Sequence, residues 1–128
     1  QKQMKNNQKT KSMKNLITLL AVFMAMNLSA QDKNAKGSLE VDGVCGMCKA
    51  RIEKAAIKLT GVKSVQWSVE SHELKVIYDA RKTNLDSIAK QVANAGHDTK
   101  KFTAPDAAYN AVNPCCKYRD EEVIKAHQ

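Results

Sequence analysis

Proline and aromatic side chains are scarce in this 128-residue chain, which has two prolines, one tryptophan, three tyrosines and two phenylalanines. No basic run is interleaved with aromatics, so the stacking and phosphate contacts of nucleic-acid binding have no footprint here. Long apolar runs are also missing. The stretch from Leu16 to Leu28 is broken by Thr18 and Asn27 and followed by Ser29. It falls short of the roughly 20 apolar residues a spanning helix needs, so a resident membrane anchor is not expected. No cysteine stands at or just after Ala30, which argues against a lipid-modified terminus. No internal repeat is visible, and the length leaves room for one ordinary domain.

What is present begins with a basic start. Lys2, Lys5, Lys9, Lys11 and Lys14 precede the short apolar stretch, and Leu28-Ser29-Ala30 supplies a small-residue exit before Gln31 and Asp32. This pattern predicts that residues 1–30 are a secretory signal peptide with its upstream leader, starting at Met4 or Met13. The membrane then matters only during export, and the periplasm is the expected location, with full secretion as the alternative. The formal net charge of +8 belongs largely to this leader. Without its five lysines the chain keeps 16 basic and 13 acidic residues, a net +3. That balance offers no electrostatic case for a polyanionic partner.

Residues 31–37 are polar and read as a flexible lead-in. Ser38 to Asp42 alternates apolar and polar residues like a half-buried strand, and Gly43 to Met47 reads as a loop. From Cys48, the residues Ile52, Ala55, Ala56 and Leu59 fall on one helical stripe, which Thr60-Gly61 ends. Val65, Trp67 and Val69, then Leu74, Val76 and Tyr78, predict two strands joined through Glu70 to Glu73. Thr83, with Asp86 three residues on, predicts the cap of a second helix bearing Leu85, Ile88, Ala89, Val92 and Ala95, stopped by Gly96. His97 to Phe102 reads as a final edge strand. The order predicts an α+β, ferredoxin-like βαββαβ sandwich over residues 38–102, an antiparallel sheet with both helices on one face. Residues 103–128 follow as a short C-terminal tail with frayed, charged last residues.

Four cysteines lie beyond the leader: Cys45, Cys48, Cys115 and Cys116. Exported chains with an even cysteine count often carry disulfides, but 98 residues can build a core without staples. Cys45-Gly46-Met47-Cys48 sits where a loop turns into a helix. Unpaired amides and the positive end of the helix dipole favour thiolates there, with Lys49 and Arg51 adding positive charge. Soft sulfur ligands select Cu(I), Zn(II) and similar ions. A structural zinc site needs four ligands, whereas two thiolates satisfy Cu(I) in a near-linear arrangement. No carboxylate flanks Cys45, which also favours Cu(I). The same pair spacing serves thiol–disulfide oxidoreductases, the competing enzymatic reading. Those carry an aromatic before the pair, a proline within it and another facing it. Here Val44 precedes, Gly46-Met47 intervene, and both prolines lie beyond Phe102.

Val41-Asp42-Gly43-Val44-Cys45-Gly46-Met47-Cys48, followed by Ile52-Glu53-Lys54-Ala55, Gly61-Val62 with Val65, and Ala95-Gly96, resembles the heavy-metal-associated (HMA) domain family. That family includes copper chaperones, mercuric-ion periplasmic binding proteins and the N-termini of metal-pumping ATPases. The resemblance runs from about Leu39 to Phe102 and implies the ferredoxin-like fold, with Cys45 and Cys48 as metal ligands. The family usually reads Gly-Met-x-Cys-x-x-Cys; here the segment before Cys45 is one residue shorter, and the methionine is Met47, between the cysteines.

In such a fold the first loop, the hairpin bearing His72 and the loop bearing His97 share one end of the sandwich. Both histidines are therefore candidates to approach or tune the ion. An ordinary loop role is the alternative for each, and His127 is not expected to take part. Met47 is either a thioether ligand or core packing. Cys115 and Cys116 lie outside the resemblance. They are candidates for a third thiolate, a second ion or a disulfide to the first pair, against the alternative of a redox-labile surface pair. The expected function is an exported, non-enzymatic carrier. It would bind Cu(I), with Zn(II), Hg(II) or Cd(II) as alternatives, and pass it to a membrane metal transporter or another metal-binding domain. Lys49 and Arg51 would steer docking or, more simply, solvate a helix face.

Overall fold

The computed structural model describes residues 31–128, which form one compact unit; the leader and its start lie outside the described residues. The elements are β1 (Ala35–Glu40), α1 (Gly46–Ile57), β2 (Val62–Trp67), β3 (Glu73–Tyr78) and α2 (Leu85–Asn94). The C-terminal part adds α3 (Asp106–Asn110), a 3-10 turn (Pro114–Cys116) and α4 (Glu121–Ala126). The sheet is antiparallel in the order β1-β3-β2. Its register puts Val76 between Gly37 and Val65, and Leu74 between Leu39 and Trp67. That inner row meets Ile52 and Ala56 of α1 and Ile88 and Val92 of α2 in one core, as period-2 and period-3.6 patterns on facing elements require. Lys36, Ser38, Gln66 and Lys75 remain exposed on the strands. This is the ferredoxin-like arrangement the sequence predicts. No helix among the described residues is long and apolar enough to cross a membrane.

Four local expectations are corrected. First, β1 starts at Ala35, inside the expected lead-in, and ends at Glu40. Its ladder with β3 continues back to Ala35 opposite Tyr78, and Gly37 lets Leu85 press against the strand where a Cβ would lie 2.7 Å from that side chain.

Second, α2 is capped by Asn84, whose Oδ1 accepts from the Ser87 amide at 2.9 Å. Thr83 instead closes the preceding turn through its own amide to the Asp79 carbonyl (3.1 Å).

Third, the expected last strand is reduced to one bridge between Val41 and Thr99. Its backbone groups are taken elsewhere: the Asp98 amide donates to the Tyr118 hydroxyl (2.8 Å) and the Thr99 amide to the Phe102 carbonyl (2.8 Å).

Fourth, the C-terminal segment is built into elements that pack on the domain, with a helix over Glu121–Ala126. Asp120 caps α4 through the Glu122 amide (3.0 Å), and Val112, Cys116 and Tyr118 are buried.

A candidate metal centre of four cysteines

Val41, just past β1, is fully buried, and its carbonyl accepts from the Trp67 indole at 3.1 Å. The chain then turns at Gly43, where an added Cβ would lie 2.9 Å from the Trp67 ring and 3.0 Å from Cys48 Cβ. Only the absence of a side chain lets the loop lie this close to α1. Cys45 occupies the N-cap position in extended conformation (φ −150°, ψ 174°), and no acidic residue stands in the first turn of α1. Cys48, one turn in, falls on the buried stripe with Ile52 and Ala56. Its sulfur accepts from the Val44 amide at 3.5 Å and lies 3.4 Å from Cys45 Sγ.

Two more sulfurs arrive from the other end of the chain. Cys116 Sγ lies 3.4 Å from Cys45 Sγ, and Cys115 Sγ lies 3.9 Å from Cys116 Sγ. Cys45, Cys115 and Cys116 place their sulfurs within 4.8 Å of one another. Cys115 Sγ also approaches Met47 Sδ at 3.3 Å. All four cysteines are free thiols. The chain thus brings Cys115 and Cys116 back beside Cys45. Met47 is 51% exposed and is not core packing. Its side chain lies over Cys115 and Asn113 at the rim of the sulfur group.

The electrostatics divide the sulfurs by role. Burial raises the Cys45 thiol, but the amides of Cys48 and Met47 at the start of α1 and the thiols of Cys48 and Cys116 outweigh it, bringing its pKa down to about 7. Burial pushes Cys48 and Cys116 the other way, above the ordinary thiol range. Cys45 therefore ionises before Cys48 and Cys116, whose thiols can then donate to it. The soft donors are concentrated at one point with no carboxylate among them, a set suited to a thiophilic ion and unsuited to Mg or Ca.

Neither histidine joins the sulfur group. His72, at positive φ (57°) in the hairpin, stacks on Trp67 with ring centroids 5.8 Å apart, and its carbonyl accepts from the Val41 amide. His97 is completely buried, with Nδ1 2.9 Å from the Asp42 carbonyl and its ring stacked on Tyr118 at 5.3 Å. Its Nε2 has no hydrogen-bond partner, and burial lowers its pKa. His97 therefore sits as a neutral ring beneath the site loop. Lys49 and Arg51 are engaged as structural groups. Lys49 Nζ pairs with Glu53 and donates to the Trp67 carbonyl at 2.8 Å, while Arg51 Nε donates to the Ala95 carbonyl at 2.8 Å.

Comparison with known proteins yields several copper-handling relatives. The copper chaperone CopZ of Staphylococcus saprophyticus is 30% identical over 67 residues, 52% of this chain and 98% of CopZ. A copper-exporting P-type ATPase of Staphylococcus haemolyticus is 32% identical over 66 residues, 51% of this chain but only 8% of the ATPase. The crystal structure of oxidised MerP from Ralstonia metallidurans CH34 superposes with a TM-score of 0.50 at 29% identity, covering 52% of this chain and 94% of MerP. Residues 38–98 match the model of the heavy-metal-associated domain. The βαββα core, the cysteine pair at the mouth of α1 and near-complete coverage of a chaperone of this kind lead to one conclusion: the chain belongs to the heavy-metal-associated domain family.

Proposed function

We propose that the protein is an exported, non-enzymatic carrier of a soft metal ion, with Cu(I) as its cargo and Cys45 and Cys48 as the primary ligands. The observation that carries this reading is the 3.4 Å separation of the two sulfurs at the N-terminus of α1, with Cys45 already tending to thiolate. Binding Cu(I) releases the remaining thiol protons to solvent. Cu(I) would then leave by ligand exchange, one cysteine at a time, to a membrane metal transporter or another metal-binding domain. The copper-handling names of the relatives support copper over Zn(II), Hg(II) or Cd(II), and the basic-then-apolar leader supports export to the periplasm.

The test is a Cu(I) titration of reduced protein against a competing chelator. Either Cys45→Ser or Cys48→Ser is expected to weaken binding by at least about 10–100-fold. Wild-type affinity in either variant would remove the assignment, and insulin reduction at a thioredoxin-like rate would replace the carrier with an oxidoreductase. In the expressing cell, the processed chain is expected in the periplasmic fraction beginning at Gln31. An unprocessed cytoplasmic chain would sink the export reading.

A further inference from the structure

The segment after Ala104 lies beyond the family match at residues 38–98, yet it is among the most heavily tied parts of the molecule. The Tyr118 hydroxyl donates to the Gly96 carbonyl (2.7 Å) and accepts from the Asp98 amide (2.8 Å). Arg119 grips the Asp98 carboxylate through Nε (3.0 Å) and Nη2 (2.7 Å), a bidentate fork that fixes direction as well as distance. Oδ1, the oxygen that Nη2 reaches, also accepts from the Ala104 amide at 2.6 Å. Val112 packs on Gly96, whose φ of +109° and missing Cβ allow the approach; a Cβ there would lie 2.7 Å from both Val112 Cγ1 and the Ala108 carbonyl oxygen. Lys117 Nζ donates to the Tyr109 and Asn110 carbonyls, both at 2.9 Å. These ties flank the 3-10 turn at Pro114–Cys116 on both sides and hold Cys116 at 1% exposure with its sulfur 3.4 Å from Cys45 Sγ.

A redox-labile surface pair would need none of this. A buried cysteine acting only as a small apolar side chain would not need its sulfur directed at two others. The spacing is also informative. With metal–sulfur bonds of about 2.3 Å, three thiolates around one ion stand roughly 4 Å apart, whereas two in line stand about 4.6 Å apart. Cys45 Sγ stands 3.4 Å from both Cys48 Sγ and Cys116 Sγ, on the compact side of either arrangement.

From this we propose that the C-terminal segment is a strap that supplies Cys116 as a third thiolate to the ion held by Cys45 and Cys48, with Cys115 and Met47 forming an outer sulfur rim. The strap turns an open two-sulfur pair into a closed three-sulfur site, and its cargo leaves only when Cys116 is displaced by an incoming ligand. The inference rests on the proposed role of Cys45 and Cys48, and the test separates the two.

The test is a sulfur count by X-ray absorption at the copper edge on the reduced full chain loaded with one equivalent of Cu(I), alongside chelator competition. Three sulfurs are expected in the wild type, and two in Cys116→Ser with affinity reduced at least about tenfold. Cys115→Ser is expected to keep three. Two sulfurs in the wild type, both lost with Cys45→Ser and Cys48→Ser, would overturn the strap while leaving the primary pair intact. Loss of a sulfur in Cys115→Ser but not in Cys116→Ser would overturn the assignment of the third ligand. Because the wild-type count needs no substitution, a folding defect in Cys116→Ser cannot mask the answer.

Discussion

At the scale of single residues, Cys45 differs from its partners because it alone faces the first amides of α1 without being sealed in the core. Its pKa of about 7 against the raised values of Cys48 and Cys116 predicts a sharp order of reactivity. The thiolate is the nucleophile, so metal-free reduced protein treated with iodoacetamide should be alkylated at Cys45 first. The rate should climb through pH 7 and level off above roughly pH 8, one unit past the pKa. Peptide mass spectrometry over that range reads it directly; labelling of Cys48 or Cys116 ahead of Cys45 at pH 7 would contradict the assignment. Cys45 and Cys48 are legible in the sequence because two cysteines separated by two residues at a loop-to-helix junction can converge. The position of Cys116 is not legible, because contact across 71 residues depends on how the strap returns. Met47 shows another failure: its place at a helix start suggests packing, but the first turn of α1 leaves it exposed, where the strap's Cys115 and Asn113 approach its sulfur.

At the scale of elements, the two helices and the β2–β3 hairpin are written in the apolar periodicity, since each buries one face against the same core. The last strand is less legible because its fate is decided by competition for backbone groups. Asp98 sends its amide to Tyr118 and its carboxylate to Ala104 and Arg119, and a single bridge at Thr99 is what remains for the sheet. Edge pairing and strap docking draw on the same residues, and the strap wins because it also buries Val112, Cys116 and Tyr118. Removing one hydroxyl tests this. Tyr118→Phe keeps the ring stacked on His97 but leaves the buried Gly96 carbonyl and the Asp98 amide without that partner. The expected loss is about 1–3 kcal/mol in chemical denaturation. Cys116 in the variant should become alkylated faster, as the strap opens more often. A change below a few tenths of a kcal/mol would mean the strap adds little to the folded state.

At the scale of the whole molecule, the proposed ligands come from opposite ends of the described chain, and that has a thermodynamic consequence the cysteine pair alone would not have. An ion held only by Cys45 and Cys48 closes a loop of three residues at the start of one helix and ties nothing else together. An ion that also holds Cys116 clamps the helix mouth to the strap, so any unfolding that separates them must first release the metal. Ligand binding to the native state stabilises it by RT ln(1 + [L]/Kd), about 1.4 kcal/mol for each tenfold of free ligand over Kd. Loading reduced protein with Cu(I) should therefore raise Tm, and hydrogen exchange should slow in the strap, at Tyr118 and Arg119, as well as around α1. In Cys116→Ser the residual rise in Tm should be smaller, and the exchange protection should retreat to residues 44–52. The Cys45→Ser variant should show neither. Full strap protection on loading Cys116→Ser would show that the two ends are coupled by packing alone and that the metal is not the clasp.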